Sequence, residues 1–129
     1  MSFSESEIAY LAAQPLGRLA TRRPDGTLQN SPVGFSYNPA TGTIDIGGHN
    51  MERSRKFRNV AATGEVAFVV DDLPSTNPWR VRCLEIRGAA EAVEGPVPII
   101  RIHPRRIISY GIDQTDTEPL AVLPHNRNV

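Results

Sequence analysis

With 129 residues, the chain can bury one core but is short for a dinucleotide domain beside a substrate domain. Hydrophobic residues make up 40% and charged residues 22%, which excludes wholesale disorder; Lys+Arg and Asp+Glu balance at 14 each, so no global field exists to hold a polyanion such as duplex DNA. A single cysteine, Cys83, excludes an internal disulfide or a cysteine-based metal cluster, and the absence of a leader-like N-terminus or of about 18 consecutive apolar residues leads us to expect a cytoplasmic protein with one domain over 1–129.

Ser4-Glu5-Ser6-Glu7 has the spacing of a capping box, and Ile8, Leu11 and Ala12 follow at helical spacing until Pro15, predicting a short amphipathic helix over one end of the fold. Gly17 to Thr21 reads as a strand, Asp25-Gly26 as a hairpin turn, and Leu28 to Tyr37 as a second strand. Asn38 to Gly42 is a further turn, and Thr43 to Gly47 alternates as a third strand. A helix over about Glu52 to Ala62 is expected, with Phe57 and Val60 on one face and Gly64 ending it. Glu65 to Asp71 has the apolar density of a buried strand, Asp72 to Pro78 reads as a loop, and Trp79 to Glu91 as a long strand bent at Gly88. Val97 to Ile102 and Arg105 to Tyr110 are closing strands separated by His103-Pro104, and the polar tail from Asp113 is expected to be coil or a partner-contacting arm. Short strands in series with one central helix predict a mainly β fold, an antiparallel barrel of six to seven strands.

Within this order, Gly47-Gly48-His49-Asn50-Met51-Glu52-Arg53-Ser54-Arg55-Lys56-Phe57-Arg58-Asn59 concentrates Arg53, Arg55, Arg58 and the sole lysine, Lys56, directly after a strand. Glycines permit close backbone approach, a helix start offers free N–H groups, and the cations supply charge-assisted bonds, so the segment suits a phosphate. Ser54 and Asn59 offer neutral donors; the competing reading is a solvated helix face. Trp79 suits either an interface anchor or a ring-stacking residue, and His49 either a proton donor or an exposed side chain. His103 and His125 lack ligand spacing, Ser109 lacks a triad, and Cys83 within an apolar strand is expected to be buried and inert, so no metal and no catalytic side chain is expected.

The order Gly17-Arg18-Leu19-Ala20-Thr21, Asp25-Gly26, Pro32-Val33-Gly34-Phe35, Ile44-Asp45-Ile46-Gly47-Gly48-His49 and Arg55-Lys56-Phe57-Arg58-Asn59-Val60 resembles the pyridoxamine 5'-phosphate oxidase-like superfamily, and within it a subgroup assigned to the deazaflavin F420. The likeness extends to Pro104-Arg105-Arg106-Ile107-Ile108-Ser109-Tyr110-Gly111; Cys83 stands where glycine is expected and Tyr110 where tryptophan is expected. The resemblance implies a split β-barrel with Greek-key strand order, a homodimer with cofactor sites along its interface, and an oxidoreductase that passes a hydride between F420, or alternatively FMN, and a small planar substrate. It implies phosphate contacts from Lys56, Arg53 or Arg55 and Asn59, and ring contacts from Pro32, Val33, Gly34, Ile46, Gly47, Gly48 and His49. Trp79 and Arg80 would reach the partner's site, and Arg55, Arg58, Arg101, Arg105 and Arg106 would suit the acidic tail of F420. A flavin- or haem-type binding protein without turnover is the alternative from another class; a nucleic-acid binder is disfavoured by net neutrality and 6% aromatic content.

Overall fold

The structure, a computed structural model, describes residues 2–113 and 122–129. Helix α1 (Glu5–Ala13) starts on a reciprocal cap: the Ser4 hydroxyl accepts the Glu7 amide at 3.2 Å, and the Glu7 carboxylate accepts the Ser4 amide at 2.9 Å. The face it buries differs from the expected stripe. Glu7, Tyr10 and Leu11 turn inward, whereas Ile8 is half-buried and Ala12 exposed. Two polar anchors fix that rotation: Arg127 donates to both Glu7 carboxylate oxygens at 3.0 and 2.5 Å, and the Tyr10 hydroxyl donates to Asp72 at 2.7 Å.

Strands β1 (Gly17–Arg22) and β2 (Leu28–Val33) form the expected hairpin, whose turn is held by the Asp25 carboxylate accepting the Thr27 amide and hydroxyl at 2.9 and 2.6 Å. The single strand expected over Leu28 to Tyr37 is instead broken at Gly34-Phe35, beyond which β3 (Ser36–Asn38) pairs with β4 (Thr43–Ile46). The break has a topological cause. With β5 (Glu65–Thr76), β6 (Trp79–Val93) and β7 (Ile99–Tyr110) completing it, the sheet order is β2-β1-β5-β6-β7-β4-β3; β2 and β3 are the two outermost strands, so the chain between them has to carry the sheet around to close the barrel. Phe35 plugs this seam, edge-on to Phe68 with ring centroids 5.2 Å apart.

Helix α2 (Arg55–Thr63) takes the chain from β4 across the barrel end to β5 (Glu65–Thr76), and Gly64 ends it at φ 68°. The expected loop from Asp72 to Pro78 is largely strand: β5 continues to Thr76 and turns tightly into β6 (Trp79–Val93), with the register shifting between Asp72 and Ser75 where Pro74 cannot donate. The two expected closing strands are one, β7 (Ile99–Tyr110), which passes through Pro104 opposite a register shift at Arg87/Gly88. Gly88 is required there, because a Cβ would lie 2.2 Å from the His103 carbonyl oxygen. The expected coil of the tail falls partly on residues outside those described, but His125–Asn128 is a strand, β8, paired with the second half of β7. Among the described residues the sheet therefore has eight antiparallel strands rather than six to seven.

Inward positions of every long strand supply the core, in which Ile44, Ile46, Val70, Leu84, Ile86, Ile100, Ile102 and Ile107 are fully buried. Phe57 and Val60 of α2 and Leu11 and Tyr10 of α1 close its ends. The result is a mainly antiparallel β-barrel with two short helices, split along the seam between β2 and the β3–β4 pair.

Candidate cofactor site

One side of the seam is β2, which among the described residues pairs with β1 alone and leaves its second edge without a strand. The other is the segment after β4, where Gly47, Gly48, His49 and Asn50 are all exposed. A Cβ built at Gly34 or at Gly47 meets nothing within 4 Å, so both glycines border open space that a flat ligand can approach. Pro32 is exposed, whereas Val33 and Ile46 are buried and contribute backbone rather than side chain to this border.

The helix over the seam starts later than its sequence suggests. Asn50 adopts a left-handed φ of 51°, Met51–Arg53 form a 3-10 turn, and the α-helix restarts at Arg55. Ser54 caps it: its hydroxyl accepts the Phe57 amide at 3.2 Å and donates to the Met51 carbonyl at 2.6 Å. The Ser54 hydroxyl proton is thus committed to the fold, and its contribution to an anion is to order the first turn, where the Arg55 and Lys56 amides have no capping partner among the described residues.

The cations of this segment stand out by their density. Arg18, Arg22, Arg82, Arg87, Arg101 and Arg127 each face a carboxylate, whereas Arg53, Arg55, Lys56 and Arg58 have none within ion-pair distance among the described residues; Arg23, Arg80, Arg105 and Arg106 lack one too, but none of these lies at a helix start. Arg58 donates to the Arg53 carbonyl at 2.8 Å, which ties the 3-10 turn to the helix. Positive charge over a helix N-terminus beside bare backbone is an arrangement that suits an anion.

Several residues expected to join it stand elsewhere. Asn59 is 1% exposed and points into the barrel, where its amide donates to Thr21 at 3.0 Å and to Gln29 at 3.3 Å. Its Oδ1 and the Ser31 hydroxyl are buried without a hydrogen-bond partner among the described residues, so polar groups are packed beneath α2 and inside β2; the inward alternation of Gln29, Ser31 and Val33 was the available signal for it. Arg101 forks onto Asp45 at 3.1 and 3.2 Å, and Arg106 donates to Asn126 and Asn128, so neither is available to an acidic tail. Trp79 and Arg80 sit at the β5–β6 turn. Since β5 has 12 residues, this places them about 40 Å of strand from the C-terminal end of α2, and the fold does not bring them to the basic cluster of their own chain. Trp79 is 63% exposed. Cys83 is half-buried rather than buried; desolvation pushes its thiol pKa up, with Asp71 and Glu85 adding to the effect, so the thiolate is disfavoured. Among the described residues no three His, Cys, Asp or Glu side chains stand where they could hold a metal, and no helix is long and apolar enough to cross a membrane.

The profile of the family described as pyridoxamine 5'-phosphate oxidase matches residues 5–105, from the first residue of α1 to past the bend of β7. The chain belongs to this family. It is 48% identical over 122 residues to a 5a,11a-dehydrotetracycline/5a,11a-dehydrooxytetracycline reductase of Streptomyces rimosus, covering 88% of this chain and 86% of that protein. The family's fold is seen again in the conserved hypothetical protein Rv2991 of Mycobacterium tuberculosis, with a TM-score of 0.71 at 23% identity over 100% of this chain and 93% of that one. It is seen also in an FAD binding protein from Mycobacterium smegmatis, with a TM-score of 0.63 at 21% identity over 83% of this chain and 93% of that one.

Proposed function

We propose that this member of the pyridoxamine 5'-phosphate oxidase family is a homodimeric reductase that uses F420, or alternatively FMN, to reduce a planar unsaturated ketone. The observation that carries this reading is the unpaired cation set Arg53, Arg55 and Lys56 at the front of α2, beside glycines that border open space. A phosphorylated tricyclic cofactor fits those residues: its phosphoryl group would lie on Lys56 and the α2 amides, with its ring along Pro32–Gly34 and Ile46–His49. Bound there, the cofactor supplies the hydride chemistry, so the chain needs no nucleophile or triad of its own. Four cations exceed what one phosphoryl group requires, and Arg55 and Arg58 suit the acidic tail of F420, which favours it over FMN.

The relative named as a reductase supports reduction of a fused-ring enone, and the FAD binding protein with the same fold supports a flavin-type ligand. A second copy completes the site in this reading, because Trp79 and Arg80 lie too far along the β5–β6 hairpin to serve their own chain.

Titration with F420 and with FMN, followed by fluorescence, tests the assignment. Lys56→Ala is expected to weaken the preferred cofactor at least tenfold, since a charge-assisted contact contributes about 1.5–3 kcal/mol. Equal affinity of wild type and variant would overturn it. Tight binding with no oxidation of the reduced cofactor by any enone or quinone would instead make the protein a cofactor carrier.

A further inference from the structure

Away from the basic cluster, a cleft of about 560 Å³ opens between α1 and the seam, where Ile8, Leu11 and Ala12 face Phe35, Tyr37 and Pro39. It exists because α1 is rotated. Glu7 and Tyr10 take the inward positions, held by Arg127 and Asp72, so the regular apolar stripe of the helix looks into this cleft instead of lying wholly in the core. Its volume falls in the range of about 300–1,000 Å³ typical of organic ligand sites. No charged side chain is among its lining residues, which suits a neutral ligand and excludes the anion that the α2 front attracts.

Two hydroxyls in the cleft, those of Tyr37 and Ser36, have no hydrogen-bond partner among the described residues. The Tyr37 ring is nevertheless fixed, standing edge-on to Phe3 with centroids 5.5 Å apart, so its hydroxyl is a positioned donor in an apolar surround. Phe35 directly follows Gly34, so the cleft adjoins the strand end assigned above to the cofactor ring.

We propose that this cleft between α1 and β3 seats the reducible substrate, a neutral, planar, fused-ring molecule bearing ketone or enol oxygens, and that the Tyr37 hydroxyl holds one of those oxygens. The assignment rests on the reductase reading above. Apolar walls from α1 on one side and from Phe35, Tyr37 and Pro39 on the other cover the ring faces, and the few polar groups set the orientation.

Tetracycline is a suitable probe, titrated into the ¹⁵N-labelled full-length protein with amide shifts recorded, while F420 affinity is measured separately by fluorescence. Tetracycline is expected to shift the amides of Ala12, Phe35 and Tyr37, Ala12→Trp to weaken it at least tenfold by filling the cleft, and Tyr37→Phe to weaken it about threefold to tenfold. F420 affinity stays at the wild-type value in both variants. Tetracycline that leaves the cleft amides unmoved, as it would if a second copy of the chain covered them, overturns the assignment, and so does unchanged binding in Ala12→Trp. Should Ala12→Trp lose the native spectrum, Tyr37→Phe decides. Failure of F420 to bind would remove the α2 reading but leaves the tetracycline titration decisive for the cleft.

Discussion

Single residues show where this fold has no slack. A Cβ on Gly17 would lie 2.2 Å from the tip of the Phe68 ring, which is fully buried and wedged against Phe35. Gly17→Ala is therefore expected to destabilise the protein by about 1–3 kcal/mol, the cost of overpacking, measured as a lower urea midpoint at unchanged slope. Charge tells a parallel story at Glu7, Asp45 and Asp72. Burial would raise the Glu7 carboxyl, but bonds from Arg127 and Ser4 outweigh it and hold the pKa below the ordinary value. Asp45 behaves likewise with Arg101, Asn38 and Thr43, and Asp72 is lowered first by its bond from Arg82. Each of these is depressed in the folded state, so its stabilisation is complete above the ordinary carboxylate pKa of about 4 and is lost as pH falls through the lower folded value. Urea midpoints should thus hold steady from neutral pH to about 5 and fall steeply below about 4, with Glu7→Gln giving a shallower acid limb. Cys83 and Tyr110, the two positions at which the resemblance leads one to expect glycine and tryptophan, are register partners on β6 and β7.

Among the elements, α2 carries the strongest prediction, because Ser54 both caps it and organises the turn before it. Ser54→Ala should cost about 0.5–2 kcal/mol of stability and weaken cofactor binding alongside Lys56→Ala, while leaving tetracycline affinity at the wild-type value; thermal melts and the two titrations measure all three. How legible each element was depended on whether its signal was local. The alternation of Thr43 to Ile46 and the apolar run of Glu65 to Val70 needed no partner to be recognised, and the capping box of α1 was plain from four residues. Pro74 and Pro104 read as breaks because proline cannot donate to a ladder, yet both lie where a register shift makes that donor unnecessary. Strand β8, His-Asn-Arg-Asn, has no apolar period at all; it is held by pairing to β7 and by Arg127 on Glu7, a contact between residues 120 apart in sequence. The basic cluster was legible as composition, but only the fold shows that its cations lack carboxylates and that Asn59 turns inward, away from them.

For the molecule as a whole, the geometry separates the two ends of the barrel. α2 and its cations occupy one, α1 and the β5–β6 hairpin the other, with Tyr10, Asp72 and Arg82 binding helix to hairpin. Trp79 at the hairpin tip has little of its own fold to support. Trp79→Ala should leave the urea midpoint within about 0.5 kcal/mol of wild type, as for other surface changes, yet lower both self-association in sedimentation and cofactor affinity. Loss of monomer stability instead would mean that Trp79 serves its own chain. The contact of Arg127 with Ser2, whose carbonyl it reaches at 2.5 Å while holding Glu7, has a practical consequence. It brings Ser2 and Arg127 side by side, so a short peptide bridge would join those two positions. The backbone can then be reopened at the exposed Asp25-Gly26 turn, giving a circularly permuted barrel with neighbouring strands in their original places.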